Sequence, residues 1–379
     1  MRVAIAGGGT GGHLFPGIAL AEMLVARNTS TKVLFLCTQR DDAYAGLDEQ
    51  GFEVAVLPGR SHGALPRRLL SLSGAIVRAM GLLRRFRPDV VVGLGGYGSL
   101  APVLCARLRR TPVVLLEQNV VPGRSNRALA RFATEIESQW PESRQHFRRP
   151  LRVRVTGNPI RRSIRRLERV DAARELKLDP GARTLLVFGG SQGARPLNEL
   201  VMAAMPLFAA GEPRVQFVHL AGRDDCERVQ DAYAQHGLAA RVFAFLEDMS
   251  LAYSACDLVF SRAGGTSIAE FVALGVPSVL VPLPHAADNH QALNAAALAD
   301  RGCAIVCEQA QLGPEGLYRG VQKLLSSPGQ LAAMAEACRE SGLADTRGAV
   351  AERVERVGSG IAAGSMAIAA EAARAAAGR

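Results

Sequence analysis

The stretch "VAIAGGGTGGHLFPG", residues 3–17, decides the fold. It begins as a run of apolar residues without a polar interruption, the pattern of a strand covered on both faces. It then breaks into glycines from Gly7 to Gly12, meets His13, and continues into "LFPGIALAEMLVA", whose apolar positions suit a helix from about Pro16 to Ala26. Gly7, Gly9 and Gly12 satisfy G-x-G-x-x-G, the dinucleotide fingerprint. A dinucleotide enzyme would close its second strand with Asp or Glu for the ribose diol. Here that strand, "KVLFLCTQ", ends without a carboxylate, and Asp41 and Asp42 come several residues late. No glycine loop is followed by Lys-Ser or Lys-Thr, so the Walker pattern fails as well.

Outward from this stretch the same unit recurs. "KVLFLCT", "GFEVAVLP", "PDVVVGLG" and "PVVLLEQN" alternate with helical segments, one of them long and near residues 70–85. The alternation stops at the Pro- and Arg-rich "RRPLRVRVTGNPIRRSIRR" and restarts with "RTLLVFGGSQGARPLNEL", "VQFVHLAG", "RVFAFLEDM", "CDLVFSRAGG" and "VPSVLVPLPH". Near-continuous apolar strands separated by helices predict an α/β protein of two doubly wound, Rossmann-like domains facing a cleft. The expected division is residues 1–160, residues 161–345, and residues 346–379 as a terminal helix with an Ala-rich tail, with a linker near Thr156–Arg166. Two further glycine loops, "GLGGYGS" (Gly93–Ser99) and "FGGSQGAR" (Phe188–Arg195), also follow strands and precede helices. Backbone N–H groups at such places converge on anions, and three of them point to a phosphorylated ligand rather than to turn geometry alone.

Charge is unevenly spread. Residues 1–160 carry 22 Lys and Arg against 11 Asp and Glu, and residues 161–379 carry 23 against 24, so the first half holds the whole excess behind the net charge of +10. Between Arg60 and Arg87 seven arginines and no carboxylate interleave with Leu69, Leu70, Leu72, Ile76, Val77, Met80, Leu82 and Leu83. Phe86 is the only aromatic residue there, which argues against nucleic acid and leaves an amphipathic core helix or a face for an anionic membrane surface. No secretory leader and no run of spanning length is present, so a cytoplasmic location is expected. Seven scattered cysteines lack metal-site spacing and read as buried thiols, with Cys303 and Cys307 a remote redox alternative. There is no Asp-x-Asp pair for a divalent ion, and neither a metal nor a cofactor is expected.

"GGTGGHLFPG", "GLGGYGS", "EQN" (117–119), "GNPIR" (157–161), "GGSQGAR" and "RAGGTSIAE" through "HAADNHQALNA" resemble, in order, the motifs of the MurG family. These are N-acetylglucosaminyltransferases of peptidoglycan synthesis, with a two-domain GT-B architecture. The resemblance spans about residues 2–350 and departs at Leu116, where the family often has His. It implies inverting transfer of GlcNAc from UDP-GlcNAc to the C4 hydroxyl of a lipid-linked MurNAc-pentapeptide, by an enzyme peripheral to the cytoplasmic face of the inner membrane. The alternative on the same fold is a UDP-GlcNAc 2-epimerase.

On this resemblance Ser191, with Gln192 nearby, meets the donor diphosphate, the backbone of Leu246 holds the uracil edge, and Gly265 and Thr266 line the donor site. Glu270 binds the ribose hydroxyls, with a helix-capping role as the alternative because Thr266 or Ser267 is expected to cap that helix. Gln291 contacts the donor sugar, a role His290 could take instead. Thr10, Gly11, Gly12 and Asn119 add contacts from the first domain, and Tyr97 shapes the acceptor pocket. Arg161 matches a donor contact, with a linker salt bridge as its alternative. Two general bases remain open: His13, whose ordinary pKa suits proton transfer near neutrality, and Glu117.

Overall fold

A computed structural model describes residues 1–8, 11–38, 47, 51–59, 65–190 and 193–360, with the backbone alone for residues 11–13 and 65–69. The apolar runs of the first half are strands β1 (Arg2–Ala6), β2 (Lys32–Thr38), β3 (Glu53–Leu57), β4 (Val90–Gly93), β5 (Val113–Glu117), β6 (Glu135–Ser138) and β7 (Val153–Val155). They form one parallel sheet in the order β3-β2-β1-β4-β5-β6-β7. Helices cover both faces, so β4 and β5 are buried throughout, which is why they read as unbroken valine and leucine.

The chain then passes through a two-residue strand, β8 (Asn158–Pro159), into a second parallel sheet. Its strands are β9 (Arg183–Phe188), β10 (Val215–Leu220), β11 (Ala240–Phe243), β12 (Leu258–Ser261), β13 (Ser278–Leu280) and β14 (Ala304–Val306), in the order β11-β10-β9-β12-β13-β14. In each sheet the chain winds one way from its first strand and then the other. The switch therefore falls between β1 and β4 in the first sheet and between β9 and β12 in the second, and the loops after β9 and β12 border the cleft.

The chain crosses between the sheets twice, and the two crossings lie side by side. β15 (Ala344–Asp345) pairs in parallel with β8, and Asn158 N–H donates to the Leu343 carbonyl at 2.9 Å. Beyond it, the helix Ala349–Gly358 returns to the first sheet, where Val350, Ala351, Val354 and Val357 pack in one core with Val3, Ile5, Leu14 and Val92. Asp345 caps that helix, accepting from the Ala349 and Val350 N–H groups. The first helix, Gly11–Arg27, begins earlier than the expected Pro16, so Pro16 stands inside it and removes one backbone donor. All seven cysteines are thiols rather than disulfides, five of them buried, and Cys303 and Cys307 flank β14 unpaired while Cys338 Sγ lies 3.7 Å from the Cys303 carbonyl.

Candidate active site

A cavity of about 620 Å³ opens between the two sheets. Phe15, Gln118, Asn119 and Arg161 line it beside the loop after β9, the helix Gly265–Ala273, and the turn that holds His290 and Gln291. The walls beside it depend on close backbone approach. Gly7 lies at φ 144°, and a Cβ there would meet Leu94 Cβ at 2.7 Å, so the loops after β1 and β4 touch. Ser99 locks that contact, its hydroxyl within hydrogen-bond distance of the Ala6 carbonyl at 2.8 Å and the Gly95 carbonyl at 2.7 Å. Across the cleft, a Cβ on Gly265 would lie 2.2 Å from the Gln118 carbonyl, so only glycine lets this helix start press against the first domain.

Glu270 stands one turn into that helix and is buried. The N-cap is Gly264 without a side-chain cap, and Thr266 and Ser267 lie inside the first turn, which corrects the expected Thr or Ser cap. The carboxylate turns instead to the linker: Oε1 accepts from Arg161 Nη2 at 3.1 Å, and Oε2 accepts from the Tyr253 hydroxyl at 3.2 Å. The Arg161 guanidinium lies 4.3 Å over the Phe15 ring, so one side chain joins the linker, the first domain and the second. The linker salt bridge, the alternative for Arg161, is therefore present, with Glu270 as its partner. Burial raises the Glu270 carboxyl above the usual carboxylate range, while Arg161 and Tyr253 oppose that shift.

Glu117 is also buried, at the end of β5, but it serves its own loop. Its Oε1 accepts from Asn119 N–H at 3.0 Å and Asn119 Nδ2 at 3.2 Å. Its Oε2 accepts from Gly123 N–H at 3.0 Å and Asn126 Nδ2 at 2.9 Å. Four donors fill the acceptor capacity of a carboxylate. The loop so shaped meets the second domain at Asn294, which is fully buried: Asn294 Nδ2 donates to Asn119 Oδ1 at 3.0 Å, and Val120 N–H donates to Asn294 Oδ1 at 2.9 Å.

On the second-domain wall Leu246, half-buried, lines the cavity beside exposed Phe245. Gln291 lines it too, its Oε1 accepting from Leu283 N–H at 2.9 Å, which leaves the amide nitrogen for a ligand. Tyr97 is half-buried, with its hydroxyl inside the protein. Thr10, Ser191 and Gln192 lie outside the described residues, and Gly11, Gly12 and His13 are placed by backbone alone, at the start of the first helix.

The sequence reading passed over Arg262, the first residue after β12. It is buried, donates to the carbonyls of Val281 and Pro282 at 3.0 and 3.1 Å and to Gln309 Oε1 at 2.6 Å, and lines the cavity. Among the described residues it makes no ion pair with a carboxylate, and burial lowers its pKa to about 10. A guanidinium held by neutral dipoles in a cleft wall favours an anionic ligand. An arginine directly after an apolar strand was the available signal.

Residues 3–138 match the glycosyltransferase family 28 N-terminal domain, and residues 184–348 match the family 28 C-terminal domain. The chain is 42% identical over 348 residues to a UDP-N-acetylglucosamine--N-acetylmuramyl-(pentapeptide) pyrophosphoryl-undecaprenol N-acetylglucosamine transferase of Anaeromyxobacter dehalogenans, covering 90% of this chain and 89% of that protein. The protein of that name from Geobacter sulfurreducens is 38% identical over 93% of this chain and 98% of its own length. The crystal structure of Acinetobacter baumannii MurG superposes with a TM-score of 0.74 at 30% identity, covering 94% of this chain and 99% of that one. The chain belongs to the MurG family of glycosyltransferases. Phe15 and Asn294, also passed over in the sequence, join the two walls, and Tyr253 steadies Glu270 within the second. Phe15 and Asn294 stand inside quoted motifs, but nothing local in those motifs says which residue of the other domain each one meets.

Proposed function

We propose that the protein transfers GlcNAc from UDP-GlcNAc to the C4 hydroxyl of a MurNAc-pentapeptide carried on a polyprenyl diphosphate, with inversion at the sugar carbon. The observation that carries this reading is the Glu270 carboxylate at the start of a helix that faces the cleft. Two of its roughly four acceptor positions are occupied, by Arg161 and Tyr253, and two remain for a ribose diol. Gly265 and Thr266 sit at the same helix N-terminus, whose free N–H groups and dipole suit the donor diphosphate. Ser191 and Gln192 are assigned to that diphosphate, the Leu246 backbone to uracil, Gln291 to the GlcNAc hydroxyls, and Arg161, Asn119, Thr10, Gly11 and Gly12 to donor contacts that form as the cleft closes. In the reaction the acceptor C4 oxygen attacks the anomeric carbon as its proton passes to the His13 imidazole. The bond to the UDP oxygen breaks in the same displacement, and the departing charge falls toward the helix N-terminus and Arg262.

The basic half is assigned to the anionic inner face of the membrane that holds the acceptor. No helix among the described residues is long and apolar enough to cross a membrane. The helix Leu65–Phe86 buries Ala75, Ala79 and Leu83 and leaves Leu70 and Val77 about three-quarters exposed. These two fall seven residues apart, in line with exposed Arg84. The side chains of Arg67 and Arg68 lie outside the described residues.

Incubation with UDP-GlcNAc and a short-chain lipid I analogue, read by mass spectrometry, tests the transfer. A product heavier by one GlcNAc residue, formed with stoichiometric UDP, supports it, and UDP release or sugar epimerisation without acceptor overturns it. Changing Arg67, Arg68, Arg84 and Arg85 to Glu tests the membrane assignment, which predicts loss of binding to anionic vesicles with turnover of a water-soluble acceptor intact.

A further inference from the structure

At the rim of the cleft one carboxylate faces two guanidinium groups of the opposite domain. Asp288 Oδ1 accepts from Arg124 Nη2 at 3.1 Å, and Asp288 Oδ2 pairs with Arg127 Nη2. The two arginines stand three residues apart on the helix Arg124–Leu129, and so on one face. That helix is itself anchored, since the Glu117 carboxylate accepts from Gly123 N–H at its start and from Asn126 within it. The arginines are thus presented from a fixed base.

The turn that carries Asp288 is one that needs holding. His285, Asp288 and Asn289 lie at φ 59°, 53° and 55°, three non-glycine residues in the left-handed region within five positions. The same turn leads directly into Gln291, whose Oε1 is tied back to Leu283 N–H, and into His290, whose Nδ1 lies 2.7 Å from the Ala287 carbonyl. Resting on the assignment of Gln291 to the donor sugar, we propose that Asp288 is a positioning residue that clamps the 283–291 turn against the first domain and so fixes Gln291 on GlcNAc. The hydrogen bond and charge of Arg124, joined by Arg127, hold the Asp288 carboxyl below its usual range, so the clamp is charged at neutral pH. Because the clamp spans the two domains, it completes the sugar site only when the cleft is closed.

Calorimetry with UDP-GlcNAc and with UDP separates this role from a general one, because only the former carries the sugar. Asp288→Asn keeps the residue's tolerance for a left-handed backbone and removes the charge. It is expected to weaken UDP-GlcNAc binding about fivefold, the scale of two partly exposed ion pairs, while UDP binding stays unchanged. High salt should weaken UDP-GlcNAc binding more steeply in the wild type than in the variant, the difference being the share of the clamp. Arg124→Gln with Arg127→Gln should reproduce the loss, and combining all three changes should add nothing further. Equal affinity of the wild type and Asp288→Asn for UDP-GlcNAc, or additive losses, would overturn the clamp while leaving the donor assignment standing. Wild-type protein that binds UDP-GlcNAc no better than UDP would overturn the sugar role of Gln291 and the clamp with it.

Discussion

Each wall of the cleft buries one glutamate, and the two are used in opposite ways. Glu117, on the first domain, is held by two backbone N–H groups and two side-chain amides, all within nine residues of it. Glu270, on the second, is held by a guanidinium 109 positions away in sequence and by a phenol hydroxyl, with acceptor capacity left over. A carboxylate saturated by local amides shapes a loop and has nothing to exchange. One held by a cation at the edge of a cavity can share its oxygens with an incoming ligand. Both motifs, "EQN" and "RAGGTSIAE", read equally well as binding signatures, and only the partners distinguish them.

The largest expected effect lies on the second wall. Glu270→Ala removes the acceptor of two ribose hydrogen bonds to an ionised group, each worth about 1.5–3 kcal/mol, so UDP affinity should fall by ~10²-fold or more. It also leaves the Arg161 charge without its carboxylate between the domains. Calorimetry with UDP and with uridine checks this: both should weaken if the ribose is what Glu270 holds. Unchanged affinity for both would reduce Glu270 to a tether for the linker, and the contrast between the walls would collapse.

His13→Ala is next. A general base acts chiefly in the transition state, so turnover should fall by ~10² while UDP affinity stays within a few-fold. Steady-state kinetics with a soluble acceptor, set beside the calorimetry, reads the split. Glu117→Gln sharpens the comparison from the other side. An amide cannot accept at both ends, so one pair of donors, around either Asn119 or Gly123, loses its acceptor at a cost of about 1–3 kcal/mol. Denaturant unfolding should show that loss with UDP affinity unchanged. If Glu117→Gln instead abolishes turnover in a protein of wild-type stability, Glu117 takes the base role in place of His13.

What could be read from the sequence follows the range of the interactions. Strands and their alternation with helices were legible because β4 and β5 are buried on both faces and repeat the same apolar types. The glycine loops were legible because Gly7 answers a local requirement of the backbone. The helix start at Gly265 was misjudged because Thr266 and Ser267 are good capping residues, yet the close approach to Gln118 puts a glycine pair there. The bridges Arg161–Glu270, Asn294–Asn119 and Asp288–Arg124 join residues 109 to 175 positions apart, and no local pattern encodes such distances.

A third buried glutamate, away from the cleft, gives the smallest expected effect and the cleanest sign. Glu137 on β6 lies 3.6 Å from Arg353 Nε on the returning helix, beside Glu135, which accepts from Arg353 Nη2 at 2.8 Å. Burial pushes the Glu137 carboxyl from 4.5 up to about 8, with Arg353 pulling it down and Glu135 pushing it further up. The folded state then binds a proton more tightly than the unfolded chain does. Stability from this group is complete below the unfolded value of 4.5, falls as pH rises, and levels off above about 8. Glu137→Gln keeps the shape and removes the titration. The variant should therefore gain stability relative to the wild type across that window, read as a Tm difference that grows with pH and is largest at its alkaline end. UDP affinity should not change, since Glu137 anchors the returning helix to the first sheet and touches neither wall. Thermal unfolding followed from acidic to alkaline pH decides the matter: a stability difference that stays constant with pH would show that Glu137 is already ionised in the fold, with Arg353 outweighing its burial.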